Sequence, residues 1–436
     1  MSTGPRFVWP AKTFLNTGEH MKYLLIIGDG MADGPVAELG GKTPLEAANI
    51  PTIDRLAKNG ILGSTINCPK PLPAGSETAI LSIFGYDPRD YFTGRSPMEA
   101  AASGILLEPG DTAYRMNLVS LEDGDIPYES RRILSHSAGS IAADDALEAV
   151  RTLEEDGTFA ALLRKAQMKI YPFPAFRQIP VQHGADNAAL VTIPPHDHLG
   201  EVIGPLLPTG CENAKVLDRL MREAHRVLDH APVNERRRAA GKLPANGVWF
   251  WAQGSALQLP SFREKYGHWG GVISAVPLCH GIAALGGLEM VSVEGATGEI
   301  DTNFEGKRDK ALELLHRRDM DFVCLHLEAP DECTHNGDLK GKVQSIEWLD
   351  SRILAPLFDA LEKENMDYRV LLLSDHRTLM STRGHDGSPV PFLLYDSRKP
   401  HGSSLGYSEK NAEQGPFVEN GSELMRILFE QNNQNK

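Results

Sequence analysis

No apolar run in the 436 residues approaches the length that a membrane crossing needs. The cysteines are few: Cys68, Cys211, Cys279, Cys324 and Cys333 are scattered, odd in number, and form no Cys-x-x-Cys pair. That argues against a disulfide framework and for a reducing, cytoplasmic setting. Basic residues are outnumbered, 44 Lys and Arg against 58 Asp and Glu, for a formal charge of -14. A chain this acidic repels nucleic acid and anionic lipid, so neither is expected as a partner. An anionic substrate would need a local Arg/Lys cluster to overcome that field. There is no internal repeat. The first twenty residues contain no signal-peptide core, and residues 1–20 are read as an extension outside the fold. The polar tail Gln431–Lys436 is read as fraying.

The rest has the apolar content of a globular protein and the length for two domains. Lys22–Gly28 is a short apolar run ended by glycine, the pattern of a buried strand. Pro51 opens a helix that Gly60 ends, and Ser76 precedes the apolar run Ala79–Phe84, which places it at a helix N-terminus. In the C-terminal third, strand-like runs at Leu288–Val293, Phe322–Leu327, Val370–Ser374 and Phe392–Tyr395 alternate with helices at Lys307–Asp319 and around Ile346, Leu349, Ile353, Leu357 and Leu361. Pro356 is placed to kink the latter. Such alternation predicts a mostly parallel α/β sheet with helices on both faces. The middle differs: strand-like Ala113–Ser120, Ala188–Ile193 and Gly247–Ala252 mix with helices near Asp144–Glu154 and Glu212–Ala231. Residues 108–275 are therefore read as a smaller α+β domain inserted into a core made of 21–107 and 276–436.

The chemistry gathers at strand ends. Asp29, Asp375 and His376 each follow an apolar strand, and Asp331 lies a few residues beyond another. In open parallel sheets, sites form outside the carboxyl ends of the strands, so residues distant in sequence can meet there. If the segment after Pro330 is helical, Asp331 and His335 share a face. Adjacent Asp375 and His376 can serve one site from a strand-end loop, and His385 follows nearby. Carboxylates and imidazoles without a required thiolate suit Mn²⁺ or Zn²⁺, and Mg²⁺ less well. Cys333, between Asp331 and His335, is a bystander on this reading. Two close metals can clamp both oxygens of an in-line displacement, and a serine hydroxyl beside one becomes a nucleophile at neutral pH. Each piece alone has an ordinary reading as a turn, a solvated helix face or a surface pair; it is their joint position that points to a site.

The order Gly28-Asp29-Gly30, Pro51–Gly60, Ser76, Asp331-x-x-x-His335, Asp375-His376 and His385 resembles the alkaline phosphatase superfamily. More narrowly, the chain resembles the archaeal-type cofactor-independent phosphoglycerate mutases, through Gly28–Gly34, Leu39–Ala48, Pro73–Thr78 and Gly295–Asn303, over essentially all of 21–430. The resemblance implies an alkaline-phosphatase-like core with an inserted cap domain and a binuclear site, commonly of Mn²⁺. Asp29, Ser76, Asp375 and His376 match the ligands of one ion, Ser76 doubling as nucleophile; Asp331, His335 and His385 match those of the other. It implies exchange of 3-phosphoglycerate and 2-phosphoglycerate through a phosphoserine, without 2,3-bisphosphoglycerate. For the substrate it points to Arg115, His136 and Arg177 in the insert and to Lys307 near the hinge, with His183, His196 and His198 as alternatives.

Rivals exist. A phosphatase, or a mutase on another small phosphorylated molecule, would share the metal site. A homoserine-kinase-like phosphotransferase needs a phosphate-cradling loop; Gly41-Lys42-Thr43 looks like the end of one, but Val36 stands where that pattern wants glycine and Pro44 follows. A metal-binding scaffold would have lost some ligand positions, and none is missing. Glu235-Arg-Arg-Arg238 could in principle touch nucleic acid, but a solvated loop fits so acidic a chain better. The sequence sets no oligomeric state.

Overall fold

The structure, a computed structural model, describes residues 21–400 and 402–430, so the expected extension at 1–20 and the tail at 431–436 lie outside the described residues. Eight strands form one sheet in the order Phe417–Val418, Ile61–Thr65, Val390–Asp396, Tyr368–Leu373, Lys22–Gly28, Phe322–Leu327, Gly270–Ile273 and Glu289–Val291. All neighbours are parallel except the two ladders made by Val390–Asp396. This is the mostly parallel α/β sheet the alternation predicts.

The period of two in Lys22–Gly28 explains how both faces are filled. Leu24 and Ile26 join one buried cluster, with Ile346, Leu349, Ile353 and Leu357, while Leu25 and Ile27 join the other, with Ile80, Phe84 and Leu278. Each such side chain taken from water is worth about 1.5–3 kcal/mol. The register pairs Gly28 with Leu327 and Ile27 with Leu373, so three central strands end nearly level. The long helix before Tyr368–Leu373 is interrupted by a π-turn at Leu349–Leu354, just ahead of Pro356. A proline there has no N–H to give to the carbonyl four residues back, and the wider turn absorbs the break.

A second sheet stands apart. Asp111–Leu121 pairs antiparallel with Ile133–Ser135, Arg177–His183 and Gly247–Ser255, and Met168–Tyr171 extends it. It has its own core, Tyr114, Met116, Leu118 and Trp249 against Leu153, Phe159, Leu217 and Met221. Two expectations are corrected here. Ala188–Ile193 is not a strand: only Val191 makes an isolated bridge, to Thr209, and Pro194-Pro195 cannot extend a ladder. The insert also stops short of 275, because Gly270–Ile273 pairs with Phe322–Leu327 in the large sheet and Leu257 and Phe262 belong to that sheet's core. Gly-Gly-Val-Ile carries nothing that tells one sheet from another. The last strand of the insert leans on the core: Thr93 Oγ1 donates to the Ser255 carbonyl at 2.6 Å, and Ser96 donates to that of Ala252. The approach is so close that a Cβ on Gly254 would lie 2.6 Å from Pro97 Cδ.

Candidate metal centre

Asp29, Asp331 and Asp375 leave the carboxyl ends of three adjacent strands, at one edge of the sheet. Asp29 is the residue after Gly28. Asp375 and His376 lie in the loop after Leu373. Asp331 opens from the helix Ala329–His335, one turn before His335, so both reach the same side and His335 Nε2 lies 3.1 Å from Asp331 Oδ2. His385 comes from the short hairpin strand Gly384–Asp386, paired to Arg377–Leu379, and its Nε2 is 3.0 Å from that of His335 and 3.5 Å from Asp331 Oδ1.

The inner half is deeper. His376 Nε2 is 3.1 Å from Asp375 Oδ2 and 3.8 Å from Asp29 Oδ1. Those two buried carboxylate oxygens accept no hydrogen bond among the described residues. Ser76 Oγ is 3.2 Å from the same His376 Nε2. Gly75 is extended and Ser76 begins the helix Ser76–Ile83, so its first-turn amides lie at the hydroxyl.

The loops are held from behind. Fully buried Lys342 donates to Asp33 Oδ2 at 2.7 Å and to the Thr378 carbonyl at 2.6 Å, tying the turn after Asp29 to the strand after His376. Gly30 has φ +59, its amide donates to Asp375 Oδ1 at 3.0 Å, and a Cβ there would lie 2.5 Å from Thr378 Oγ1 and 2.7 Å from Asp331 Oδ1. Only glycine fits that position.

Burial, then repulsion from Asp375 and Asp331, pushes the Asp29 carboxyl well above the usual carboxylate range. Burial opposes ionisation of Asp331 too, but hydrogen bonds from His335 and His385 outweigh it and hold that carboxyl well below the range. His335 is pushed up to about 9, chiefly by its hydrogen bond to Asp331. Its Nδ1 lies 2.9 Å from the Arg383 carbonyl, which accepts that N–H, so Nε2 is the nitrogen turned to Asp331 and the one that would meet a cation on losing its proton. Two sets of donor atoms lie mutually within 4.8 Å: Asp29, Asp375 and His376, and Asp331, His376 and His385. Buried carboxylate oxygens without donors beside imidazole Nε2 atoms fit divalent cations. Cys333 is in neither set, and burial pushes its thiol up to about 11.

The residues expected to touch substrate are divided. Arg115, on the insert, pairs with Glu99 of the core helix Ser96–Ala102, Nε to Oε2 at 2.9 Å, and lies over Trp251 at 4.7 Å. Arg95 Nε reaches Glu99 at 3.1 Å, and its NH1 is 3.8 Å from Glu77, next to the serine. Arg177 lies over Trp251 at 5.7 Å with its Nε unpartnered; burial and then Arg115 lower it to about 10. His136 presents a buried Nδ1 without a partner, its ring 6.0 Å from that of His196. His183 instead pairs with Asp111 and His198 with Glu201 at exposed positions. Lys307 is corrected: it is fully buried, its Nζ spent on Glu328 and, at 2.9 Å, on the His326 carbonyl, which leaves no surface for a substrate. It missed the site because an aliphatic stem long enough to reach a ligand is also long enough to reach an internal carboxylate.

His326, Glu328, Thr378, Glu99 and Arg95 escaped the sequence reading. An imidazole inside the buried strand Val323-Cys-Leu-His-Leu327 is the signal that could have found His326. The kinase loop is absent in form: Thr43 caps a four-residue helix and donates to Glu409 at 2.7 Å. Arg236, Arg237 and Arg238 are ion-paired to Glu148, Asp145 and Asp123, so they make no open basic patch.

The metalloenzyme superfamily model matches residues 21–430. A 2,3-bisphosphoglycerate-independent phosphoglycerate mutase of Methanosarcina barkeri is 41% identical over 410 residues, 94% of this chain and 99% of that one. A solved protein structure from Pyrococcus horikoshii superposes with a TM-score of 0.76 at 30% identity, covering 94% of this chain and 97% of that one. The cofactor-independent phosphoglycerate mutase of Thermoplasma acidophilum shares the fold, with a TM-score of 0.63 at 24% identity over 94% of this chain and 98% of its own. On this similarity along nearly its whole described length, the chain belongs to the 2,3-bisphosphoglycerate-independent phosphoglycerate mutases of the metalloenzyme superfamily.

Proposed function

We propose that the protein interconverts 3-phosphoglycerate and 2-phosphoglycerate through a phosphoserine at Ser76, using two divalent cations, Mn²⁺ before Zn²⁺ or Mg²⁺, and no 2,3-bisphosphoglycerate. The observation that carries this reading is the meeting of Ser76 Oγ with His376 Nε2 beside Asp29 Oδ1 and Asp375 Oδ2, the two buried oxygens that have no donor. Asp29, Ser76, Asp375 and His376 would hold one ion, and Asp331, His335 and His385 the other. When bound, the cations would supply the positive charge that lowers the pKa of a serine hydroxyl and neutralises phosphoryl oxygens.

Ser76 Oγ attacks phosphorus in line. The Oγ–P bond forms as the bond to the 3-oxygen of glycerate breaks, and the serine proton ends on that departing oxygen. The trapped glycerate turns, its 2-hydroxyl attacks the phosphoserine, and the proton of that hydroxyl returns to Ser76. The first-turn amides of Ser76–Ile83 favour the anion, and Arg115, Arg177 and His136 are assigned to the carboxylate and phosphate charges. The insert acts as the cap that keeps water out while glycerate turns, which is what separates a mutase from a phosphatase. Five free cysteines support a cytoplasmic setting; among the described residues no helix is long and apolar enough to cross a membrane.

A coupled assay on 3-phosphoglycerate tests the reading. Turnover should ignore added 2,3-bisphosphoglycerate, disappear with a chelator and return with Mn²⁺. Ser76→Ala should lose turnover while both ions still bind; near wild-type turnover in that variant would overturn the covalent route. Release of inorganic phosphate in place of 2-phosphoglycerate would favour the phosphatase.

A further inference from the structure

The carboxylate of Asp29 is divided between two duties. Its Oδ1 faces Asp375 and His376 with no hydrogen-bond donor, whereas its Oδ2 lies 3.0 Å from His326 Nε2. His326 is fully buried, and its other nitrogen, Nδ1, lies 3.0 Å from Glu328 Oε1 and 3.1 Å from Ser274 Oγ. Glu328 is anchored in turn: Oε1 accepts from Ser274 Oγ at 2.9 Å and from the Ala275 amide at 2.8 Å, and Oε2 accepts from Lys307 Nζ at 2.5 Å. Lys307 closes the chain by donating to the His326 carbonyl at 2.9 Å. Asp29, His326, Glu328 and Lys307 are all buried, and they run inward from the cation pocket, away from any place a substrate could reach.

A carboxylate that turns freely about χ2 can meet an ion with one oxygen or with both. With one oxygen engaged by a ring that is itself pinned at its far nitrogen, Asp29 offers the pocket a single oxygen. We propose that His326, Glu328 and Lys307 are positioning residues, a buried brace that fixes the rotation of the Asp29 carboxylate so that one oxygen faces the inner cation. The brace explains why a lysine and a glutamate stand where packing alone would want apolar side chains: breaking one member of such a chain leaves the others buried and unpaired. Asp331 is held differently: its oxygens are met by the rim imidazoles and by Thr378, whose carbonyl in turn accepts from buried Lys342. The inference rests on Asp29, Asp375 and His376 holding a cation and not on which phosphate ester is turned over.

Mn²⁺ binding to the metal-free, full-length protein tests it, followed by the signal of free Mn²⁺. A His335→Ala/His385→Ala background isolates the inner site, and Asp375→Asn isolates the outer one. Adding His326→Phe should raise the inner Kd by about 10- to 100-fold and leave the outer Kd within about twofold. His326→Gln, which keeps an N–H near the Nε2 position, should recover most of the loss. Glu328→Gln should fall between them, and it carries the test if His326→Phe fails to fold, as the melting of the metal-free protein would reveal. An unchanged inner Kd, equal weakening of both sites, or a Gln variant no better than Phe would overturn the brace. A protein that binds Mn²⁺ as described but lacks mutase turnover would count against the proposed reaction and leave the brace standing.

Discussion

Asp29 and Asp375 lie at the floor of the centre, their side chains 6% and 0% exposed, whereas His335 and His385 stand at its rim, 35% and 27% exposed. The rim half balances its own charge: Asp331 is met by two imidazoles and a threonine hydroxyl. The floor half does not. It keeps two buried oxygens without donors, and Asp29 is held up by burial and by its acidic neighbours. An uncompensated buried group is costly unless something is bound, so on the proposed assignment the floor would need its cation for stability while the rim could give its own up. The same contrast recurs in the insert, where Arg115 is compensated by Glu99 and Arg177 has an unpartnered Nε.

The largest break in this comparison comes from the floor. Asp375→Asn should lower kcat by on the order of a thousandfold or more, with loss of the inner ion and retention of the outer one in metal analysis; loss of both ions together would merge the two halves. Gly30→Ala, which forces a Cβ onto Thr378 and Asp331 at positive φ, should cost about 1–3 kcal/mol in urea unfolding of the metal-free protein. Chelator-driven release of Mn²⁺ should show two phases, the faster one missing from His335→Ala; a single phase would mean that floor and rim empty alike. Arg177→Ala should raise KM by about tenfold with a smaller change in kcat, because it removes a guanidinium whose Nε has no partner among the described residues and that an anion would meet.

The smallest effect belongs to a fully compensated surface pair. Glu305 is held down to about 2 by its hydrogen bond to Arg352, with 45% of its side chain exposed. Its folded value is depressed, so its contribution is present above the ordinary value of 4.5 and fades as pH falls toward 2. Glu305→Gln should cost less than about 1 kcal/mol at neutral pH and nothing measurable at pH 2, read by thermal melting at both.

What was legible in the sequence follows from how each signal arises. Lys22–Gly28 and Phe322–Leu327 match the observed strands residue for residue, because a strand buried on both faces is an unbroken apolar run bounded by turn residues. Arg177–His183 was not legible, because Pro180 argues against a strand and its pairing depends on partners far along the chain. Asp331 and His335 could be paired from helical spacing alone. Lys307 could not be placed, because a lysine in the first turn of a helix looks the same whether its end meets solvent or a buried Glu328.

By itself, the order of apolar runs, turns and acidic strand ends determined the α/β core, the helix that begins at Ser76 and the set of carboxylates and imidazoles offered to one edge of the sheet, since these are local patterns read within a few residues. Only the tertiary structure decided that one oxygen of Asp29 is engaged by His326 and the other left free, that Lys307 turns inward, that Gly270–Ile273 belongs to the large sheet, and that floor and rim carry their charge differently. Those outcomes depend on distance and desolvation between groups that the chain separates by hundreds of residues, and no spacing along the sequence encodes them.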